Sequence, residues 1–504
     1  MASASLSSLP PELYINILSI LSNNIQTLSR LSVVSKDLNY LTTPYLYNTY
    51  TSPVPNTDSS NYLFLRTIIR RPDLARYTMR VNLRPFESSK CPHPITGQHK
   101  LSDEDTELFK IVVRYFCDSR NDLKLNETWL RELETDREDA RVALLLVLLP
   151  NLEFLFFEEC YEPVMVMTIL SLAGVMPREV SMPDSVQPRS LRSRKEIQLP
   201  SPEMIENLRM SFSSLHSVQT ISLESKYGYL GFRDLLSLFN LPALTTLEIG
   251  LANADWSEHN DLDENTPSSS SSSSSSIQRL SLMYSAMDSK AINITIGKCK
   301  NLKEFYYIYG RIHMYGPHFT PRDLIKALTQ HKHTLEVLEV DFDDDWQKGA
   351  WEKLPYENLY FDLSFKEFGK LKRLKCSQQA LVGLLHQIPK QIFTERSGGE
   401  LLAPPDGGLR LADILPSSLE QLTVQSGDWR LFDHLRELGN STLYGRKAFP
   451  KLRNIVLELV DHIGEDDFHL DLDGIMVEIV VVTLEEREKR LDQCCMCERL
   501  IFGK

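Results

Sequence analysis

The sequence has no apolar run long enough to cross a bilayer. The longest, ALLLVLL at 143–149, falls far short of the roughly 20 residues a membrane helix needs. Cysteine is scarce and mostly scattered, with 8 in 504 residues, which excludes the disulfide framework of small secreted domains. Positive charge is outweighed: 55 Lys and Arg stand against 68 Asp and Glu, and the net charge of −13 argues against general binding to nucleic acid or anionic membranes. No basic residue precedes the first apolar stretch in MASASLSSLPPE, so no secretory signal is expected. Nucleophile elbow, phosphate loop, zinc-protease helix and dinucleotide fingerprint are all missing. The expectation is a non-enzymatic cytoplasmic or nuclear protein without cofactor or metal, although a triad assembled from distant residues would leave no local signature.

Two stretches imitate metal sites. In DFDDDWQKGAWE, Asp341, Asp343, Asp345 and Glu352 sit at positions 1, 3, 5 and 12 of a calcium loop. Trp346 replaces the glycine of the sharp turn, and a strand rather than a helix precedes, so the stretch reads as an acidic loop. Cys494 and Cys497 form one Cys-x-x-Cys, but four ligands make a structural zinc site, and His462 and His469 lie 25 or more residues upstream.

What is present is ordinary folded composition, 42% hydrophobic and 24% charged, over a length suited to two to four domains or one extended repeat array. The chain opens with SLPPELYINILSILSNNIQTLSRLSVVSKDLNYLTTPYLYNTY at 8–50. Pro10 and Pro11 suit a helix start, and Glu12 suits the first turn. Leu13, Ile17, Leu18 and Leu21 form one apolar stripe at helical spacing, and Leu28, Leu31, Val34 and Leu38 a second. Pro44 is expected to interrupt, giving two or three short helices. A unit of about forty residues barely buries a core of its own, so the rest of the chain or a partner should cover it.

These residues resemble an F-box, especially the version common in filamentous fungi: the Leu-Pro start, the Glu-Leu pair, Val-Ser-Lys at 34–36 and Pro-x-Leu-Tyr at 44–47 all match. The match covers about 45 residues, with Tyr14 and Asn16 at positions that are often more aliphatic. The resemblance implies a trihelical unit that docks on the adaptor subunit of an SCF-type cullin–RING ubiquitin ligase. Carried over by motif, Leu9, Pro10, Leu13, Ile17, Leu28, Val34, Ser35, Leu38 and Leu46 would line that interface or support it. Each fully desolvated apolar anchor could contribute roughly 1.5–3 kcal/mol before association costs. The plain alternative is a helical cap with no outside partner. Some family members bind the adaptor without joining a ligase.

The rest of the chain carries a weak repeat. The pattern apolar-x-x-apolar-x-apolar returns nine times, at Leu152, Leu155, Phe157; Val218, Ile221, Leu223; Leu244, Leu247, Ile249; Ile277, Leu280, Leu282; Leu302, Phe305, Tyr307; Leu335, Leu338, Val340; Leu371, Leu374, Cys376; Leu419, Leu422, Val424; and Leu452, Ile455, Leu457. Thr78, Val81 and Leu83 form a degenerate further copy. Helix-like stretches fall between, at 203–215, 231–239, 320–331 and 378–388. This resembles an irregular leucine-rich repeat without its usual Asn or Cys. The expected fold is therefore α/β: an N-terminal trihelical F-box (1–50), linking helices and a first degenerate repeat (51–142), an irregular solenoid of strand–helix units (143–483) and a C-terminal helical tail (484–504).

Parallel stacking would place the x positions on an open strip suited to protein recognition. Along it run Phe154 and Phe156, then Thr220 and Ser222, Arg279 and Ser281, Glu304 and Tyr306, Val337 and Glu339, Arg373 and Lys375, and Gln421 and Thr423. Phe156, Arg279, Tyr306, Glu339, Arg373 and Lys375 are the candidate target-binding residues, with Arg373 and Lys375 suited to an acidic or phosphorylated motif. Two insertions interrupt. The nine serines Ser268–Ser276, after the acidic 255–264, read as a disordered loop within about 254–276, and the Pro-rich basic 176–202 reads as a solvated loop. The expected role is a substrate receptor that supplies proximity while others catalyse; the alternative is a repeat scaffold acting outside a ligase.

Overall fold

The structure, a computed structural model, describes residues 10–22, 24–52, 60–83, 102–118, 122–135, 137–157, 164–173, 214–224, 230–250, 252–254, 275–309, 319–342, 360–361, 364–383, 410–427, 431, 434–435, 438, 448–460 and 475–482. The chain divides into two units, Met1–Gly228 with Asn240–Leu244, and Tyr229–Phe239 with Thr245–Lys504.

The first unit begins with α1 (Pro11–Ile20), α2 (Ile25–Ser32) and α3 (Lys36–Leu46). Proline occupies the first turn of α1, where its missing N–H costs nothing. Asn24 caps α2 by accepting from the Thr27 amide at 3.0 Å, and Ser35 caps α3 by accepting from the Leu38 amide at 3.1 Å. Contrary to the expected break, α3 continues through Pro44. Proline there sits in the last turn and removes one helical bond, while the Thr42 and Thr43 hydroxyls donate to the carbonyls of Leu38 and Asn39 at 2.7 and 2.6 Å.

Next come β1 (Thr49–Thr51), α4 (Ser60–Arg70), α5 (Pro72–Ala75), β2 (Arg80–Leu83), α6 (Asp103–Asp118), α7 (Leu123–Glu134), α8 (Glu138–Val147), β3 (Phe154–Phe157), α9 (Val164–Ala173) and β4 (Thr220–Glu224). Strands β1 to β4 pair in chain order and in parallel, with Thr49, Arg80, Phe154 and Thr220 side by side. Alternation along each strand buries Val81, Leu83, Leu155, Phe157, Ile221 and Leu223. The ALLLVLL run is a fully buried segment at the end of α8. Trp129 on α7 locks against the start of the same helix, donating Nε1–H to the Ala140 carbonyl at 2.9 Å and meeting Phe116 edge-on at 5.6 Å.

The second unit holds β5 (Leu230–Gly231), α10 (Phe232–Leu238), β6 (Thr246–Gly250), β7 (Ala252–Ala254), β8 (Arg279–Met287), α11 (Ser289–Lys298), β9 (Glu304–Tyr309), α12 (Pro321–Leu328), β10 (Val337–Asp341), β11 (Arg373–Ser377), α13 (Gln378–Val382), α14 (Leu411–Ile414), β12 (Gln421–Gly427), β13 (Asn454–Val460) and β14 (Met476–Val482). Its main sheet runs β6-β8-β9-β10-β11-β12-β13-β14, every pair parallel. The apolar triples beginning at Ile277, Leu302, Leu335, Leu371, Leu419 and Leu452 are buried throughout, so the six-residue pattern is the inward side of a stacked strand ladder. Helices occur at three of the expected places, as α10, α12 and α13, while most of 203–215 lies outside the described residues. Within the serine run Ser275 is buried and bridges in parallel to Cys299.

The architecture is thus an N-terminal helical region followed by a repeating α/β solenoid with parallel strands.

Candidate interaction surfaces

Two surfaces stand out: the outer side of the three N-terminal helices and the open face of the strands. In α1 the stripe read from the sequence splits. Leu18 turns inward and is 2% exposed, whereas Leu13, Ile17 and Ile20 line the outer side at 46%, 39% and 81%. Their spacing of four and three residues puts all three on one side of the helix. Leu28 is fully buried beneath α2, and Leu38 and Leu46 are half-buried on α3. Val34 leaves its expected stripe, because it lies in the turn between α2 and α3, where it is 68% exposed beside Val33. Pro10 and Ser35 are exposed, and Ser35 is engaged as the α3 cap. Leu9 lies outside the described residues.

The open strand face follows the pairing register. In the second unit one row reads Arg279, Glu304, Val337, Arg373, Gln421, Asn454, and the next reads Ser281, Tyr306, Glu339, Lys375, Thr423, Val456. The five candidates of this unit, Arg279, Tyr306, Glu339, Arg373 and Lys375, therefore lie in two adjacent rows. Val337, Ser281, Ser377 and Thr423 are buried rather than open, so only the longer side chains of these rows reach solvent.

Charge on this face is cross-linked. The Arg279 guanidinium bridges Glu248 at 3.2 Å and Glu304 at 3.1 Å, and lies 4.8 Å from the Tyr306 ring centre. The Tyr306 hydroxyl donates to Glu304 at 2.9 Å; burial, then this bond, holds its pKa above the usual phenol range. Lys375 pairs with Glu458 at 3.4 Å, and Gln425 Nε2 approaches both Glu458 and Asp341 at 3.4 Å. Arg373 is exposed and makes no ion pair among the described residues.

In the first unit the open face presents Phe154 and Phe156 on β3 beside Arg80 and Asn82 on β2 and Thr49 and Thr51 on β1. Arg80 and Asn82 were legible as x positions of the degenerate copy. Glu248 and Glu458 occupy open positions of units whose apolar triples are plain in the sequence, but their cationic partners lie on other strands, which the sequence alone does not set beside them.

No group of three or more His, Cys, Asp or Glu among the described residues could hold a metal ion. Of the four carboxylates of the imitated calcium loop only Asp341 is described, hydrogen-bonded to Gln425; Asp343, Asp345 and Glu352, the Cys494–Cys497 pair with His462 and His469, and the basic 176–202 segment lie outside the described residues. No described helix is long and apolar enough to cross a membrane.

Comparison with curated proteins found no match. Residues 264–482, which begin in the serine-rich insertion and end with β14, match the family described as a leucine-rich repeat domain, a repeat architecture consistent with a protein-interaction scaffold.

Proposed function

We propose that the chain is a non-catalytic interaction scaffold that holds one partner on its N-terminal helices and another on the open face of its strands. One observation carries this reading. Among the described residues, eight of the twelve large exposed apolar side chains fall between Leu13 and Tyr40: Leu13, Ile15, Ile17, Ile20, Ile25, Val33, Val34 and Tyr40. Single exposed apolar residues are common on any protein, but a concentration on three short helices and the turn between two of them is the signature of a covered interface.

The finer reading names the partner. The F-box resemblance points to the adaptor of an SCF-type ubiquitin ligase, with Pro10, Leu13, Ile17 and Val34 at the contact and Leu28, Leu38 and Leu46 supporting them from below. Exposure of Leu13, Ile17 and Val34 and burial of Leu28 support that division of roles. The repeat strands would then present a target protein for ubiquitin transfer by other subunits.

Titration of the full-length chain with purified adaptor tests this. Wild type should bind, and Ile17→Asp with Val34→Asp should weaken binding by a hundredfold or more, on the order of two lost anchors. Absence of wild-type binding would overturn the adaptor reading and leave the scaffold reading. Adaptor bound without cullin in a cell extract would place the protein outside a ligase.

A further inference from the structure

On the open face of β1, β2 and β3 lies a depression of about 470 Å3, lined among others by Thr49, Thr51, Arg80, Asn82, Phe154 and Phe156. That volume is within the range of roughly 300–1,000 Å3 in which proteins seat a ligand-sized group. Its chemistry is divided. Phe154 and Phe156 are half-buried and present an aromatic wall from a single strand. The Arg80 guanidinium lies 5.1 Å from the Phe154 ring centre. A cation held by a ring face still has its N–H donors to offer an acceptor. Asn82 Nδ2 donates to Thr51 Oγ1 at 3.2 Å, which leaves the Thr51 hydroxyl proton for another acceptor.

Elsewhere on the open strands Arg279 is neutralised by Glu248 and Glu304 and Lys375 by Glu458, while Arg373, which also makes no ion pair among the described residues, has no aromatic wall beside it among them. Arg80 has a ring beside it and no carboxylate among the described residues. In a chain of net charge −13, a cation so placed at an aromatic wall is complementary to an anionic group from outside.

We propose that this depression is a recognition pocket for an acidic, extended segment of a protein target. An aromatic or large aliphatic side chain of that segment packs on Phe154 and Phe156. The neighbouring oxyanion, carboxylate or phosphate, is gripped by the Arg80 fork and the Thr51 hydroxyl, as charge-assisted pairing favours. The proposal rests on the reading of the open strand face as target-binding.

The test is a synthetic peptide array probed with the full-length chain. Each peptide carries Phe or Gly followed by Glu, Gln, phosphoserine or Lys. Wild type should bind Phe–Glu or Phe–phosphoserine peptides roughly tenfold better than Phe–Gln or Gly–Glu peptides, the loss expected for one charge-assisted contact or one apolar anchor. The stronger of the two acidic series identifies the oxyanion. Arg80→Glu should abolish the preference, and Arg80→Gln, of similar size and neutral, should reduce it by the same tenfold, so that a folding defect in one variant does not decide the result. Ile17→Asp, on the separate helical surface, should bind the array like wild type. Equal binding of Glu and Gln peptides, wild-type binding by both Arg80 variants, or no peptide bound by wild type would overturn the pocket. Failure of the wider reading would look different: co-purifying proteins would then be unchanged by Arg279→Glu as well as by Arg80→Glu.

Discussion

Lys375 on β11 and Glu458 on β13 meet at 3.4 Å across the intervening β12, although 83 residues separate them in the chain. Parallel stacking makes this contact possible: Lys375 shares a row with Thr423 and Val456, and Glu458 is the next open position of β13. Both side chains retain solvent contact, 33% and 18%, so the pair should be worth only about 0.2–1 kcal/mol. A double-mutant cycle with Lys375→Ala and Glu458→Ala should give a coupling in that range that shrinks as salt is raised. Zero coupling at low salt would mean that the two groups act independently in solution.

Asp139 caps the start of α9 from a buried position. It accepts from the Met165 and Val166 amides at 2.7 and 3.1 Å. Burial raises its pKa from 3.8 to about 7, outweighing the two amide bonds that favour the ionised form, with Glu132 adding a smaller upward push. A carboxyl whose folded pKa lies above its unfolded value binds its proton more tightly when folded. Its contribution to stability is therefore complete below the unfolded value and is lost as pH rises through about 7. Thermal melting of wild type should fall between pH 5 and pH 8, and Asp139→Asn should flatten that dependence. Asp139→Ala should destabilise at every pH by about 1–3 kcal/mol, because two buried amides lose their acceptor.

Leu28 and Val34 separate packing from docking within one small unit. Leu28 is fully buried, so Leu28→Ala should cost about 2–5 kcal/mol through lost burial and a residual cavity. Val34 is 68% exposed, and Val34→Ala should stay within about 0.5 kcal/mol of wild type. Denaturant unfolding of the two variants checks the contrast. Equal losses would mean that Val34 is covered by the chain itself.

Much of the solenoid was legible because burial imposes a rule on every unit: Leu374 and Leu422 must face inward for their strands to stack, and the sequence cannot hide it. Strand β1 was missed because Thr49 to Thr51 holds only one large apolar residue, the half-buried Tyr50, and its partner β2 is what makes it a strand. The continuous helix through Pro44 was missed because a proline in the last turn forfeits only one backbone bond, which that short helical end tolerates and no periodicity reports. The outward placement of Leu13 and Ile17 could not be read from spacing alone, since spacing shows which residues share a helix side but not which side is covered. Glu248 and Glu458 became visible as partners only once the strand register placed them beside Arg279 and Lys375.

The central claim, two separable binding surfaces on one scaffold, is tested most directly by crossed affinity purification from cell extract with quantitative mass spectrometry. The full-length chain is compared with Ile17→Asp plus Val34→Asp on the helices, with Arg80→Glu plus Arg279→Glu on the strands, and with all four changes together. Each pair should remove its own set of bound proteins and leave the other set in place, while the quadruple variant loses both. Loss of one shared set from either pair, with melting temperatures unchanged, would contradict this separation and mean that helices and strands serve a single interface.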